Sequence, residues 1–458
     1  MLKSRILKRL RLSFIVIAAL FFYSMFIAAA VRSVFHTPHQ GREWFGDFAK
    51  YIKLFSEIPS DMKTFLSGTT TELNYRLTSG KYLPYNPNIK DGFTYHKNIE
   101  YENSPKLLIS YKESRFVNKF ELYDINSGNI LKGWEPDSKL LTELTFNEAH
   151  NMHEGFEKFN DYYYIHPLML PDSSIITNNH LSLSKFDKNS EILWVKNDKY
   201  YHHGIEPDSD GNIYVCAHPF RSRKFDFLPL NYNDTIHNYV DDEITKLDAI
   251  TGEILYSKSV TEILIENGYE WLILAKGIID RDPIHLNDIE PALYDTEHWQ
   301  KGDLLLSSRH LSTVLLYRPE TNKVLWLEMG PWYNQHDVDF LDSNKIVLYS
   351  NAVFRFNGKD QASKLNGYFS KARSTNQIYV YNFENNEVST PYDDLMRTEN
   401  IRSPSQGRCD ILPNGDIFIE ETDKGRIIFG DSKQKKISFA KRKNDKYLQI
   451  IHWARLIN

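Results

Sequence analysis

The sequence predicts an all-β fold, a six-bladed β-propeller over residues 92–458, preceded by an N-terminal transmembrane helix and a short helical stalk. Three observations predict it. Short apolar runs separated by turn residues recur with a period of about 60 residues. Each recurrence reads strand, tight turn, strand, and then the same again, which makes a sheet of four antiparallel strands. Both ends of the repeat region carry spare apolar runs, GFTYHKNIE (92–100) and YLQIIHWARLI (447–457), either of which can complete the first blade and remove an exposed sheet edge.

Before the propeller, residues 1–11 hold Lys3, Arg5, Lys8, Arg9 and Arg11 and no acid, and read as a cytoplasmic basic tail. Leu12 to Val31 is uncharged over 20 residues, long enough to cross a bilayer core of about 30 Å. The basic flank places the N-terminus inside, so the sequence predicts a single-pass signal anchor with the body on the periplasmic side of the membrane. A cleaved signal peptide with Ala28-Ala29-Ala30 at its cleavage site is the competing reading. Residues 32–91 read as a helical stalk or linker, with amphipathic patterns at EWFGDFAKYIKLF and at DMKTFL, the latter capped by Pro59-Ser60.

Within the propeller, the second half of the unit recurs as ELYDINSGNILKGW (121–134), SKFDKNSEILWV (184–195), TKLDAITGEILYS (245–257), LYRPETNKVLWLE (316–328) and VYNFENNEVST (380–390). A weaker sixth copy is GRIIFGDSKQKKISF (425–439). The first half recurs as IHPLMLPDSSIIT (165–177), HHGIEPDSDGNIYV (202–215), HDVDFLDSNKIVLYS (336–350) and RCDILPNGDIFIE (408–420). Insertions at 221–241 and 292–301 lengthen the third and fourth blades and are expected to share one face. A parallel β-helix would need a much shorter period.

The chain carries Lys+Arg 55 against Asp+Glu 60, and five of those bases precede the apolar segment, leaving 50 against 60 in the remainder. Such a body repels a phosphate backbone, so nucleic acid is not an expected partner. Two cysteines, Cys216 and Cys409, supply neither a disulfide framework nor a cysteine zinc site.

In an antiparallel blade the start of the innermost strand and the end of the second lie at the same end of the channel. Polar residues recur there: His202 and His203, His285 and Asn287, Arg309, and His336. His166, His218, His310, Asn351 and Arg408 occupy comparable positions and serve equally well as fillers of the channel mouth. His150 and His153 fall in a connection, and Asp337 and Asp339 read as turn or inter-blade hydrogen-bonding residues.

This set narrows the chemistry. It lacks HExxH and His-x-His pairs, so no metal is assigned. It lacks a G-x-S-x-G elbow, a dinucleotide glycine fingerprint and the carboxylate pair of a glycosidase. A quinone-dependent dehydrogenase would call for eight blades and a repeated tryptophan motif. Transfer of an anionic group remains, with Arg and Asn holding oxygens, one imidazole as nucleophile and another as general acid and base.

His285-Leu286-Asn287, Ser307-Ser308-Arg309, Gln335-His336-Asp337 and the earlier His202-His203 occur in this order, and together they resemble the bacterial arylsulfotransferase family, which does not use 3′-phosphoadenylyl sulfate. The resemblance covers roughly residues 100–440. It implies a six-bladed propeller without a cofactor, an aryl sulfate donor and a phenolic acceptor. It makes His336 the nucleophile that forms a sulfohistidine, His285 the general acid and base, and Asn287, Arg309 and one of His202 or His203 the sulfate contacts. Arg408 is a further substrate-binding candidate, and Tyr201, Trp332 and Tyr333 either stack an aromatic substrate or pack between blades. The alternative is a non-catalytic, membrane-tethered propeller that binds a protein or glycan; it has no need for His285, Asn287, Arg309 and His336 at one rim.

Overall fold

A computed structural model describes residues 23–24, 82–84, 89–114, 116–146, 162–221, 223–228, 239–277, 279–351, 375–403, 405–444 and 447–457. The chain divides into two units, Met1–Lys81 and Tyr82–Asn458. Of the first unit only Tyr23 and Ser24, both helical, are described. The predicted basic tail, stalk helices and all other residues of the predicted anchor lie outside the described residues, as do His150 and His153. Among the described residues no helix is long and apolar enough to cross a membrane.

Among the described residues the second unit contains six antiparallel blade sheets in the predicted order, and a two-stranded sheet that pairs Tyr82–Pro84 with Tyr447–Gln449. Counted outward, blade two is Ile165–Met169, Ile175–Asn178, Leu183–Phe186 and Ile192–Lys196; blade three is Tyr200–Pro207, Ile213–His218, Glu243–Leu247 and Ile254–Ser259. Blade four is Leu286–Pro291, Leu304–Ser308, Thr313–Arg318 and Lys323–Met329; blade five is His336–Phe340, Lys345–Ser350, Gln377–Asn382 and Glu387–Ser389. Blade six is Arg408–Ile411, Ile417–Glu421, Arg426–Gly430 and Lys435–Ala440. Blade one takes Lys106–Ser114, Val117–Asp124 and Ile130–Trp134 from the start of the repeat region, and its innermost strand, Arg455–Ile457, from the other end. The two runs that compete for this place in the sequence are both used, at different edges. Gly92–Tyr95 adds a fifth, outermost strand to blade six.

The outer turns explain the recurring Asp and Gly. In blades one, two and three the carboxylates of Asp124, Asp187 and Asp248 accept from the backbone N–H of Ser127 (2.7 Å), Asn189 (2.7 Å) and Ile250 (2.8 Å). The chain then passes through positive φ at Gly128, Ser190 and Gly252. A side-chain acceptor and a left-handed residue are what a short hairpin between twisted strands requires.

Three connections from an outermost strand to the next blade contain helices that the strand pattern does not announce: Ser138–Thr145, Val260–Glu266 with Trp271–Leu274, and Asp393–Thr398. Asp137 caps the first and Ser259 the second, Ser259 accepting from Glu262 N–H at 3.1 Å. Val260, Ile263 and Leu264 then pack with Cys216, Leu286, Leu304 and Leu315 into the core between blades three and four. The two insertions lie at opposite ends rather than on one face: 221–241 follows a second strand, whereas 292–301 follows an innermost one.

Inner edges are stitched to the neighbouring blades by buried polar side chains. Arg455 donates to Pro167 O (2.9 Å), Asn178 to His203 O (2.9 Å), and the Asp288 carboxylate accepts from Val338 N–H (2.9 Å). Asp337 accepts from Cys409 N–H (2.7 Å), the inter-blade bond expected of it, and Glu420 from Trp453 N–H (3.0 Å). Each bond satisfies a group of an innermost strand that lacks a sheet neighbour on that side. Gly204 makes room for one of them, since a Cβ there would overlap Asp288 Oδ1. Gly204→Ala is expected to destabilise the propeller by about 1–3 kcal/mol, read as a lower urea midpoint with the m-value unchanged.

Candidate active site

Each innermost strand has a residue with positive φ in or just before its first half: Trp453, His166, His203, His285, Asp337 and Gly407. In blades two to five the pairing register also slips there, between Ile165 and Leu168, His202 and Ile205, Leu286 and Asp288, and His336 and Val338. A bulge of this kind turns a side chain out of the alternating pattern of the sheet. Left-handed backbone at residues other than glycine costs about 1–3 kcal/mol each, and three of these five positions are histidines, His166, His203 and His285.

These bulges bring the histidines together. The His203 ring lies 5.2 Å from His285, 6.2 Å from His336, 4.9 Å from His202, 6.0 Å from His166 and 5.8 Å from His180, centroid to centroid. His310 sits 4.3 Å from His285, and His218 3.9 Å from His202. Of the two adjacent histidines, His203 therefore faces the others, and His202 lies behind it. His180, absent from the sequence-derived set, lies two residues beyond the second strand of blade two, which ends at Asn178.

His336 is buried, and its Nδ1 meets Asn351 Oδ1 at 2.6 Å. Asn351 is itself fixed, since its amide nitrogen donates to Ser403 O (2.9 Å) and Gln406 O (2.6 Å). The amide oxygen must then accept, which puts the ring proton on Nδ1 and the lone pair on Nε2. Burial, and after it the charge of Arg309, holds the His336 pKa well below its ordinary value, so the imidazole is neutral.

The residues on either side of His336 hold it between blades. Gln335 is buried and donates to Thr313 O (2.9 Å) and Ser308 O (3.2 Å) of blade four. Asp337 accepts from Cys409 N–H in blade six. Asn287 gives one amide hydrogen to Gln335 O (2.7 Å), tying blade four to the same segment. The Gln-His-Asp sequence is thus one histidine clamped by two polar anchors.

His285 Nδ1 bonds Asp282 Oδ2 at 2.6 Å, which leaves Nε2 to exchange a proton elsewhere. Burial alone would raise the Asp282 carboxyl, but this hydrogen bond and the nearby imidazoles bring it down to about 2. Asp282 also holds His310, whose Nδ1 meets the Asp282 carbonyl at 2.7 Å and whose Nε2 meets Arg309 Nη1 at 2.8 Å. Burial lowers the His310 pKa to about 4, so its Nε2 is free to accept from the guanidinium. Arg309 N–H donates to His285 O at 3.0 Å, linking the two functional strand ends. Asp282 lies in the connection ahead of blade four; Asp three residues before His is the signal that finds it.

Arg408 lies apart from the histidines. Its buried guanidinium is 3.3 Å from Asp337, 3.4 Å from Asp410 and 4.0 Å from Glu206. Arg455 forms a bidentate pair with Glu206, both contacts at 2.7 Å. Burial raises the Asp288, Glu290, Asp337 and Asp339 carboxyls in this second, acidic tier. Tyr201 and Trp332 are core residues, buried in the clusters of blades two–three and four–five, which decides between stacking and packing.

The positioning of His336 carries an expected result of its own. Asn351→Leu should lower kcat about 10- to 100-fold with little change in KM, and Asn351→Asp should move the acid limb of the pH profile upward by favouring the imidazolium.

Residues 166–443, more than half of the chain, match the family model described as arylsulfotransferase (ASST). No curated protein matches the chain. Among solved structures it is similar to a protein of unknown function from Bacteroides caccae, with 12% identity, 78% of this chain and 100% of the other covered, and a TM-score of 0.44. It is also similar to a streptogramin B lyase, with 12% identity, 80% and 98% coverage and a TM-score of 0.39. The Neurospora crassa Pan2 WD40 domain gives 8% identity, 79% and 86% coverage and a TM-score of 0.37. The match along blades two to six coincides with the strands that carry His203, His285, Asn287, Arg309 and His336, and the chain belongs to the arylsulfotransferase family, as an arylsulfotransferase-like enzyme.

Proposed function

We propose that the protein moves a sulfuryl group from an aryl sulfate to a phenol in two steps through a sulfohistidine on His336. The observation that carries this reading is the Asn351 contact, which leaves Nε2 of a buried, neutral imidazole as the nucleophile. In the first step Nε2 attacks sulfur, the S–O bond to the aryl oxygen breaks, and His285 protonates the departing phenolate. A free phenol has a pKa of about 10, so this proton is what makes it a competent leaving group. In the second step His285 takes the proton of the acceptor phenol, whose oxygen attacks sulfur and frees His336. Arg309, Asn287 and His203 are assigned to the sulfuryl oxygens, where charge gathers in the transition state.

The test is turnover of a chromogenic aryl sulfate with added phenol and no nucleotide. Release that depends on acceptor, and a sulfuryl mass increment on His336 when the acceptor is withheld, are the expected results; phenol released to water alone, or no increment, would overturn the reading. Because the depressed pKa keeps His336 neutral, the acid limb of the first step should lie below pH 6.5.

We further propose that the basic-flanked apolar segment 12–31 tethers the enzyme with its propeller on the extracytoplasmic side. Retention in the membrane fraction after alkaline extraction is expected, together with protease access to the propeller from the outer side only.

A further inference from the structure

Behind the histidine ring, blade three holds a second constellation that the proposed reaction does not use. His202 lies in its innermost strand, His218 ends its second strand and Asp242 precedes its third. The His218 Nδ1 lies 3.3 Å from Asp242 Oδ1, and His202 Nε2 lies 3.8 Å from the same oxygen. Asp242 is fully buried and His202 nearly so. His202 Nε2 is buried without a hydrogen-bond partner, while the Asp242 carboxylate takes backbone N–H groups of His285 and Leu286 and His218 meets the backbone of Asp241. One donor atom from each of the three residues lies within 4.8 Å of the other two.

We propose that His202, His218 and Asp242 form a binding site for a divalent transition-metal ion of the Zn²⁺ class. Two imidazole nitrogens and a carboxylate oxygen are the donor set of many three-ligand zinc sites. Tetrahedral ligands at about 2.0–2.1 Å from zinc stand about 3.4 Å apart, and the separations here bracket that distance. The surroundings favour a cation: Asp241 and Glu243 flank Asp242 in sequence, and the Asp282 carboxylate acts on it through space. Arg223 offsets part of this charge, its Nη1 lying 2.9 Å from Asp241 and 2.6 Å from Glu243.

The site also has a route to the reaction, which rests on the sulfuryl-transfer reading, whereas metal binding does not. An ion on His202 Nε2 leaves its ring proton on Nδ1, and that atom meets His203 Nδ1 at 2.7 Å. The bond makes His203 Nδ1 the acceptor and sends the His203 proton to Nε2. His203 then offers a donor to the sulfuryl oxygens, and the ion fixes the tautomer rather than touching substrate.

The full-length protein, stripped with a chelator and then titrated with Zn²⁺ or Co²⁺ alone, is expected to bind one equivalent and with Co²⁺ to show the visible bands of a low-coordinate site. His218→Gln and Asp242→Asn should each weaken binding about 100-fold or more, while Asp282→Asn, in the neighbouring Asp282–His285–His310 group, should change it less than tenfold. Absence of binding by the wild-type protein overturns the proposal without any variant, and so does loss through Asp282→Asn with His218→Gln unaffected. If the wild-type protein binds metal but transfers no sulfuryl group, the proposed reaction fails and the site stands.

Discussion

Replacing His336 by alanine should reduce acceptor-dependent release of phenol from an aryl sulfate by about 10⁴-fold or more. The loss belongs to kcat, because a nucleophile contributes little to holding the donor in the ground state. The Gln335 and Asp337 anchors remain in His336→Ala, so the fold around the gap should persist, visible as an unchanged melting midpoint within a few degrees. Sulfation of the protein should vanish together with turnover. A variant that keeps even a hundredth of the wild-type rate would move the nucleophile to another ring of the cluster, with His203 the first to test.

His285→Gln is expected to lower turnover by about 10²- to 10⁴-fold, and by an amount that depends on the donor. A phenol whose own pKa lies near 7 leaves without a proton, so for nitrophenyl-type donors the loss should shrink in the sulfation step. It should persist in the second step, where the acceptor must still be deprotonated. Plotting the loss against leaving-group pKa checks this, and a flat line would remove His285 from proton transfer. Asp282→Asn should reproduce a milder form of the same profile, since Asp282 orients His285 without meeting substrate.

The propeller was legible because its information is local and repeated: alternating apolar strands, Asp-capped hairpins and a fixed order of turns. Helices Ser138–Thr145 and Val260–Glu266 do not show in the strand pattern because each is only about two turns long, though Asp137 and Ser259 mark their starts. Two equally apolar segments compete for ring closure, and pairing between residues about 350 apart, Arg455 with Leu108 and Ile457 with Lys106, has no local signature. Within the site, His285, Asn287, Arg309 and His336 stand at one end of the channel because antiparallel topology places strand ends there. The choice of His203 over His202 depends on a bulge and on positive φ at His203, which no spacing rule conveys.

The shared makeup of blade one sets a condition on biosynthesis. Its innermost strand, Arg455–Ile457, is the last of the propeller to leave the ribosome, while its partner Lys106–Ser114 is among the first. Until residue 457 emerges, a nascent chain with five finished blades is an open arc whose first sheet offers an unpaired edge to its neighbours. Arg455 also delivers the bond to Pro167 and the bidentate pair to Glu206. Ribosome-stalled chains that stop short of this strand should therefore be captured by holdase chaperones and digested at blade one, and a few more codons should release them.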